Sequence, residues 1–262
     1  MTYDEVVTTL RAAGCVWAEE EASLLTESTT SSLDLEAMVT RRAQGVPLEL
    51  VVGWARFRGL RIRVEPGVFV PRLRTELLAG QAISAVRQLD QPVVVELCCG
   101  AGAISAAILA ETTATLHAAD IDPVAVRVAA TNLGTRATLH TGDLFAPLPQ
   151  QLRGRIDVLV ANVPYVPTGD IPFLPAESRL HEPGATVDGG GDGLALFRRL
   201  VMGATSWLAP GGRVMSEVSE RQAPLAEAIV AGQGLETELH EDPDLNATVV
   251  TGVFYSGTNA PN

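Results

Sequence analysis

Apolar residues in the first 45 positions recur every three or four residues, as they do on one face of a helix. The spacing holds over residues 3–13, 18–27 and 33–42. Segments of this length with this period predict three short helices. We therefore expect residues 1–45 to form a small N-terminal helical module.

The pattern changes after the Gly-Val-Pro at residues 45–47. Residues 57–64 alternate between apolar and polar side chains, which is typical of a half-buried hairpin, and Gly67 marks a turn. These features predict a linker with a β-hairpin over residues 46–70. Helical spacing then returns over residues 75–89.

From residue 93 onward, apolar strand-like runs alternate with helix-like segments. The predicted strands are residues 93–97, 115–119, 137–143, 156–161, 212–217 and 247–255, and the predicted helices are residues 103–110, 123–133, 193–208 and 221–231. This alternation predicts a doubly wound α/β sheet with right-handed crossovers. We assign residues 71–262 to this domain and expect its last seven residues, SGTNAPN, to be disordered.

Composition and charge narrow the classes of partner. The chain has 262 residues, of which 47% are hydrophobic, and a formal net charge of -12. Such an acidic chain lacks the positive surface that attracts nucleic acid or anionic lipid. No run of residues is long and apolar enough to cross a membrane, and the N-terminus does not resemble a signal peptide. The chain has three cysteines, at positions 15, 98 and 99. We expect the adjacent Cys98 and Cys99 to be small buried residues, and we expect a cytoplasmic protein without a metal site.

The strand at residues 93–97 ends in a glycine turn. Gly100 and Gly102 follow Cys98 and Cys99, and glycine allows both a sharp turn and the close approach of a ligand. The spacing differs from the G-x-G-x-x-G pattern that binds a pyrophosphate, so the turn alone is a weak signal.

Acidic residues occur at the ends of three successive predicted strands, at Glu96, Asp120 and Asp143. Ligands of doubly wound sheets bind at the carboxyl ends of the strands, where an acidic residue can hold ribose hydroxyls. Three acids would repel a pyrophosphate and favour a cationic nucleoside, so S-adenosylmethionine fits this edge better than NAD. The alternative is that these acids only cap helices, as Asp122 could before Pro123.

The strand DVLVA is followed by Asn162, Val163, Pro164 and Tyr165. Asn and Pro commonly end strands, so a simple turn is one explanation. A binding site at the carboxyl end of a central strand is the other.

Taken in order, the motifs of this chain resemble those of the protein-(glutamine-N5) methyltransferase family, PrmC/HemK. The segments that carry the resemblance are GVPL at 45–48, VG at 52–53, FRG at 57–59, VFVPR at 68–72 with TE at 75–76, ELCCGAG at 96–102, NVPY at 162–165, EP at 182–183 and GGDGL at 190–194. Together they cover roughly residues 42–255. The resemblance implies a class I methyltransferase fold, with a seven-stranded sheet whose last strand is antiparallel.

The resemblance also implies a cofactor site and an acceptor site. The cofactor is S-adenosylmethionine, with S-adenosylhomocysteine as product. Its implied contacts are Pro71, Arg72, Thr75, Glu96, Cys98, Gly100, Gly102, Asp120, Ile121, Asp143, Leu144 and Asn162. The implied catalytic residues are Asn162, Val163, Pro164 and Tyr165, and the implied substrate contacts are Asn162, Tyr165, Glu182 and Gly193.

The implied acceptor is the glutamine side chain of the GGQ motif in class I peptide chain release factors. In the family, an asparagine side-chain oxygen and the next backbone carbonyl accept the two amide N–H bonds; here these are Asn162 Oδ1 and the Val163 carbonyl. Tyr165 would pack on the flat carboxamide and Pro164 would stiffen the loop. A general base before transfer is not required, because the nitrogen can lose its proton once it is methylated.

The chain departs from the family pattern at two places. Val163 stands where the family usually has proline, and only about 45 residues precede the linker where relatives have a longer helical bundle. Three alternatives follow: an N-methyltransferase for another amide or amine, such as a small metabolite; an N6-adenine methyltransferase of nucleic acid, which the charge opposes; and a non-catalytic relic that binds the cofactor.

Overall fold

The computed structural model describes residues 1–255, and the segment expected to be disordered, residues 256–262, lies outside them. The helices are α1 (Tyr3–Ala12), α2 (Ala18–Ser28), α3 (Ser32–Ala43), α4 (Leu48–Val52), α5 (Glu76–Val86), α6 (Ala103–Glu111), α7 (Pro123–Leu133), α8 (Ala176–His181), α9 (Ala195–Ala204) and α10 (Ala223–Ala231). The strands are β1 (Trp54–Phe57), β2 (Leu60–Arg63), β3 (Val93–Leu97), β4 (Thr115–Asp120), β5 (Ala137–Thr141), β6 (Ile156–Ala161), β7 (Leu208–Val218), β8 (Glu236–Asp242) and β9 (Ala247–Val253).

Helices α1 to α4 have an apolar cluster of their own, which includes Leu10, Leu25 and Val39. The first helix begins with a capping box, in which the Thr2 side chain and the Glu5 side chain each bind the other's backbone N–H. The helical spacing of the first 45 residues thus produces the three helices that it predicts.

Strands β1 and β2 form an antiparallel hairpin, with Phe57 opposite Leu60. Its two-residue turn places Arg58 at φ 45° and Gly59 at φ 76°. Two successive residues with positive φ match the twist of the flanking strands. The hairpin begins at Trp54, three residues before the predicted segment. Phe57 is fully buried and packs in the main core.

Seven strands form the central sheet, in the order β5-β4-β3-β6-β7-β9-β8. Strands β3 to β7 pair in parallel, whereas β9 is antiparallel to both of its neighbours. Successive residues of β3 face opposite layers: Val94 packs with the cluster that contains α5, α6 and α7, and Val95 with the cluster that contains α9 and α10. The expected doubly wound sheet with an antiparallel last strand is confirmed.

Besides the five-residue helix α4, which lies in the predicted linker, two elements were not expected from the pattern. Strand β8 has the sequence ETELHED, and within residues 1–255 it lies at the edge of the sheet, paired with β9 alone. Helix α8 has only six residues and follows the NVPY motif. Neither element has the apolar period on which such predictions depend.

The helix expected over residues 193–208 is shorter at both ends. Gly193 has φ 79°, a left-handed conformation, and the Asp192 carboxylate accepts the N–H of Leu194. Helix α9 therefore begins at Ala195. It ends at Ala204, and Leu208 already belongs to β7. Within residues 1–255, no helix is long and apolar enough to cross a membrane.

Candidate functional site

A cavity of about 210 Å³ opens at the carboxyl ends of β3, β4 and β6. Its wall is formed chiefly by residues 67–75, 96–104, 120–125, 162–166 and 183–187. The loops after three neighbouring parallel strands meet here, as expected for a ligand site in a doubly wound sheet.

The glycine turn after β3 is held in shape by Asp120 at the end of β4. One Asp120 oxygen accepts the Gly100 N–H at 2.8 Å, and the other accepts the Asp122 N–H at 2.9 Å. Desolvation raises the pKa of Asp120, against the lowering effect of these hydrogen bonds. Asp122 in turn caps α7 through the Val124 N–H, so the capping expected at this position does occur.

Two residues of the turn adopt left-handed conformations that matter for packing. Gly102 has φ 76°, and a Cβ there would lie 3.1 Å from Leu133 and 3.2 Å from Ala129, so a glycine lets α6 start close to α7. Gly102 thus supports the turn from behind and does not line the cavity. Cys98 lines the cavity with φ 55°, a conformation that costs a non-glycine residue about 1–3 kcal/mol.

Glu96 lies at the inner end of the cavity and is almost completely buried, with 2% of its surface exposed. Its Oε2 accepts the Ser105 N–H at 2.8 Å and is also bonded to the Ser105 hydroxyl. Burial raises the pKa of Glu96 to about 7, although the Ser105 hydrogen bonds lower it. Glu96 is therefore only partly ionised at neutral pH.

The structure does not bring Asp143 to the cavity with Glu96 and Asp120. Its carboxylate is half-exposed and forms an ion pair of 2.6 Å with Arg199 of α9. The neighbouring Leu144 is buried in the core beneath. Of the three acids expected at this edge, Glu96 and Asp120 line the cavity, and the third is paired with a basic residue of another element.

Asn162 projects into the cavity from the end of β6. Its Nδ2 donates to the Thr75 hydroxyl at 3.1 Å, and no donor in the described part of the chain contacts Oδ1. This bond fixes the orientation of the carboxamide and leaves Oδ1 as a free acceptor. Val163 and Pro164 follow in the cavity wall, with the Val163 side chain buried in the core.

Tyr165 is held from two sides. Its hydroxyl donates to Glu217 Oε1 at 2.7 Å, and its backbone oxygen accepts the Gln222 Nε2 at 2.9 Å. Gly193 packs against the same backbone oxygen, which a Cβ would approach to 2.2 Å. Gly193 therefore supports Tyr165 and does not line the cavity. Burial and the nearby Glu217 raise the pKa of Tyr165, so the phenol stays protonated.

Glu182 also acts from behind the wall. Its side chain is 1% exposed, it is ion-paired with Arg72, and it accepts the Val70 N–H at 3.4 Å. The expected cofactor contacts Pro71, Arg72 and Thr75 line the cavity, as does Ile121 beside Asp120. Glu182 thus joins the loop after NVPY to the segment that lines the opposite side.

Sequence reasoning missed Glu217 and Gln222, which anchor Tyr165, and Arg74, which lines the cavity. Glu217 lies at the end of the mostly buried strand β7, where a carboxylate is unusual. Strand β7 is the neighbour of β6, which leads into the NVPY motif. That combination was the signal available for Glu217.

Comparison of the sequence with those of known proteins shows the family of this chain. The sequence is 37% identical over 213 residues to the release factor glutamine methyltransferase of Streptomyces coelicolor, a match that covers 80% of this chain and 75% of that protein. It is 36% identical over 203 residues to the protein of the same name from Moorella thermoacetica, covering 75% of this chain and 70% of that protein. The chain belongs to the release factor glutamine methyltransferase family. This confirms the resemblance and the expectation that the chain is a methyltransferase.

Broader comparisons agree on the fold of this family member. The family model described as ribosomal protein L11 methyltransferase (PrmA) matches residues 74–167, which carry much of the cavity wall. The crystal structure of ribosomal protein L11 methylase from Lactobacillus delbrueckii subsp. bulgaricus has a TM-score of 0.53 at 18% identity and covers 74% of this chain and 86% of that one. A methyltransferase from Pyrococcus furiosus has the same TM-score at 16% identity, covering 75% of this chain and 89% of that one. Both neighbours show the fold alone.

Proposed function

We propose that this family member transfers the methyl group of S-adenosylmethionine to the side-chain amide nitrogen of the GGQ glutamine in a class I peptide chain release factor. The observation that carries the proposal is the orientation of Asn162. Its Nδ2 is bound to Thr75, so a free carboxamide oxygen faces the cavity that the glycine turn and Asp120 also line. The names of the relatives support the identity of the acceptor.

The residues present fit S-adenosylmethionine. Asp120, at the end of the second strand of the unit, can accept hydrogen bonds from ribose hydroxyls while it holds Gly100. Glycine at position 100 leaves room for close approach of the backbone to the ligand. Two carboxyl groups, Asp120 and Glu96, favour a positive sulfonium, and a pyrophosphate would be repelled. When bound, S-adenosylmethionine supplies the electrophilic methyl group.

This chain orients the acceptor and excludes water. Asn162 Oδ1 and the Val163 carbonyl accept the two N–H bonds of the glutamine amide, and each bond left unpaired in a closed site would cost about 1–3 kcal/mol. The Tyr165 ring packs on the carboxamide. The bound cofactor would supply its methyl group to the nitrogen that these residues orient, and the nitrogen would lose its proton once methylated. Orientation in a cavity of restricted size is the main contribution of the protein.

The rival readings receive less support. A small-metabolite acceptor is not favoured by relatives that share the name of a protein-modifying enzyme. The net charge of -12 opposes a nucleic-acid substrate. A relic without turnover is disfavoured because Asn162 retains a free oxygen and Tyr165 retains two anchoring contacts.

Mass spectrometry of a purified class I release factor, incubated with the protein and S-adenosylmethionine, tests this function. We expect the peptide that contains the GGQ glutamine to gain the mass of one methyl group. A release factor that remains unmodified, while the protein binds the cofactor, would overturn the proposed acceptor.

Two variants separate the roles of the cavity residues. Asn162→Ala should abolish methyl transfer and leave the Kd of S-adenosylhomocysteine, measured by calorimetry, within about twofold, because the Oδ1 that it removes is assigned to the acceptor amide. Asp120→Ala should instead weaken binding of the product. If Asn162→Ala lost both properties together, its role would be structural.

A further inference from the structure

A second, smaller cavity of about 120 Å³ adjoins the first. Arg74 and Tyr165 line both cavities, so these two side chains form the boundary between them. The remaining wall is mostly polar and includes Glu217, Ser219, Glu220 and Asn246. No step of methyl transfer described above uses this space.

Arg74 is anchored at one end and free at the other. Its Nε donates to Glu217 Oε1 at 3.0 Å, and its guanidinium carbon lies 5.7 Å from the centre of the Tyr165 ring. The contact with Glu217 uses only one of the three guanidinium nitrogens, and 42% of the side chain is exposed. A guanidinium has five N–H donors in a fixed plane, so a ligand oxygen can bind without breaking the Glu217 contact.

Glu217 is the group that fixes both boundary residues. Its side chain is 1% exposed, and its Oε1 accepts from the Tyr165 hydroxyl and from Arg74. Its Oε2 is buried without a hydrogen-bond partner among the described residues. A buried carboxylate is costly unless it is paired, so breaking either contact would destabilise the protein. Glu217 therefore holds the Tyr165 hydroxyl and the Arg74 Nε in their present positions.

We propose that Arg74 is a specificity-determining residue that binds a main-chain carbonyl oxygen of the polypeptide next to the acceptor glutamine, with Glu217 as its positioning residue. This inference rests on the proposed function. The amide of the glutamine packs at Tyr165, and only two methylenes separate that amide from the main chain. Arg74 borders the Tyr165 ring on the way to the second cavity. A small, polar space suits peptide groups better than a large side chain.

The charges favour a neutral carbonyl over a carboxylate. Glu217 already neutralises Arg74, and Glu220 lines the same cavity. A free amino acid would bring its own carboxylate to this acidic surrounding, whereas a residue inside a polypeptide brings neutral carbonyls. The two sources of a ligand oxygen are therefore distinguished by comparing two substrates: free L-glutamine supplies a carboxylate, and a release factor supplies main-chain carbonyls.

The test is steady-state methyl transfer to a purified release factor. Arg74→Gln should raise the KM for the release factor about tenfold, the size expected for one lost hydrogen bond to a charged group. The kcat and the Kd of S-adenosylhomocysteine should stay within about twofold. Arg74→Lys keeps a charged donor and should raise KM less. The control Arg127→Gln removes an exposed arginine that pairs with Glu65, and it should change nothing.

The positioning role of Glu217 is tested by a double-mutant cycle. Glu217→Gln should also raise the KM, and the double variant with Arg74→Gln should be no worse than Glu217→Gln alone, because loss of Glu217 already removes the contact that positions Arg74. Additive effects would overturn the role of Glu217. Methylation of free L-glutamine that rivals that of the release factor, and is equally sensitive to Arg74→Gln, would overturn the main-chain carbonyl as the ligand.

An unchanged KM in Arg74→Gln, or a parallel loss of product binding, would overturn the role of Arg74. These failures are distinct from failure of the proposed function, in which the wild-type protein itself would not methylate the release factor.

Discussion

Burial of Glu96 gives the protein a measurable dependence of stability on pH. The pKa of this carboxyl rises from 4.5 in an unfolded chain to about 7 in the native state, chiefly because of desolvation. Each unit of pKa shift corresponds to about 1.4 kcal/mol. Ionisation of Glu96 therefore lowers the free energy of unfolding by about 3 kcal/mol. Replacement by the neutral, nearly isosteric glutamine removes that cost and keeps an acceptor for Ser105.

The sign follows from proton binding. Below pH 4.5 the carboxyl is neutral in both states. Between pH 4.5 and about 7 the unfolded chain ionises while the native state keeps its proton, so the contribution of Glu96 to stability is lost as pH rises through this window. The variant Glu96→Gln has no such loss. The difference in unfolding free energy, variant minus wild type, should therefore grow by about 3 kcal/mol and level off above pH 7.

Urea denaturation of both ligand-free proteins at a series of pH values between 4.5 and 8 measures this difference. His117 and His140, whose pKa values are lowered by burial, act in the opposite direction in the same window. Both proteins contain them, so they cancel in the difference. Glu36→Gln, at an exposed position of α3, is the control for removing one acidic side chain. A flat line for Glu96→Gln would refute the reasoning.

Two further predictions concern packing and buried charge. Gly193→Ala places a Cβ 2.2 Å from the Tyr165 carbonyl oxygen at φ 79° and should destabilise the protein by about 3 kcal/mol or more and reduce methyl transfer, whereas Gly191→Ala, in open space, should change the melting temperature little. Arg42→Met leaves Glu21 buried without its partner and should cost about 3–5 kcal/mol in urea denaturation, whereas Arg11→Met at an exposed pair should cost less than about 1 kcal/mol; equal effects of the two arginine variants would contradict this ranking.

The core of the fold was predictable because its residues are periodic. The runs VVVEL and IDVLVA coincide with β3 and β6, and helix α7 has the predicted bounds. Strand β8 was missed because an edge strand needs little apolar surface, and ETELHED has one apolar residue. The late start of α9 depends on the left-handed backbone conformation of Gly193, which a hydrophobic pattern does not report.

The parts of the site that were predictable are those whose residues lie next to one another in the sequence, as a recognisable motif. The NVPY motif and the glycine turn meet in one cavity, since parallel strands bring their carboxyl ends together. Contacts between distant residues were not predictable. Asp143 is bound by Arg199, 56 residues away, and Arg74 by Glu217, 143 residues away. A sequence read alone does not show which charged side chains become partners.

The same limit applies to the N-terminal module. Arg42 of α3 is buried, and it pairs with Glu21 of α2 and with Glu177 of α8 at 2.6 Å each. No spacing in the sequence joins these three residues. The contact nevertheless ties the short module to the segment that follows the NVPY motif.

The edge strand β8 has a consequence for how the molecule behaves in crowded solution. Its outer side offers unpaired backbone groups, and such an edge can template the addition of a strand from another chain. Four acidic residues, Glu236, Glu238, Glu241 and Asp242, are spread along its seven positions. A second copy docking there would set these carboxylates against one another, so the strand that the apolar pattern failed to reveal protects the sheet from edge-to-edge aggregation.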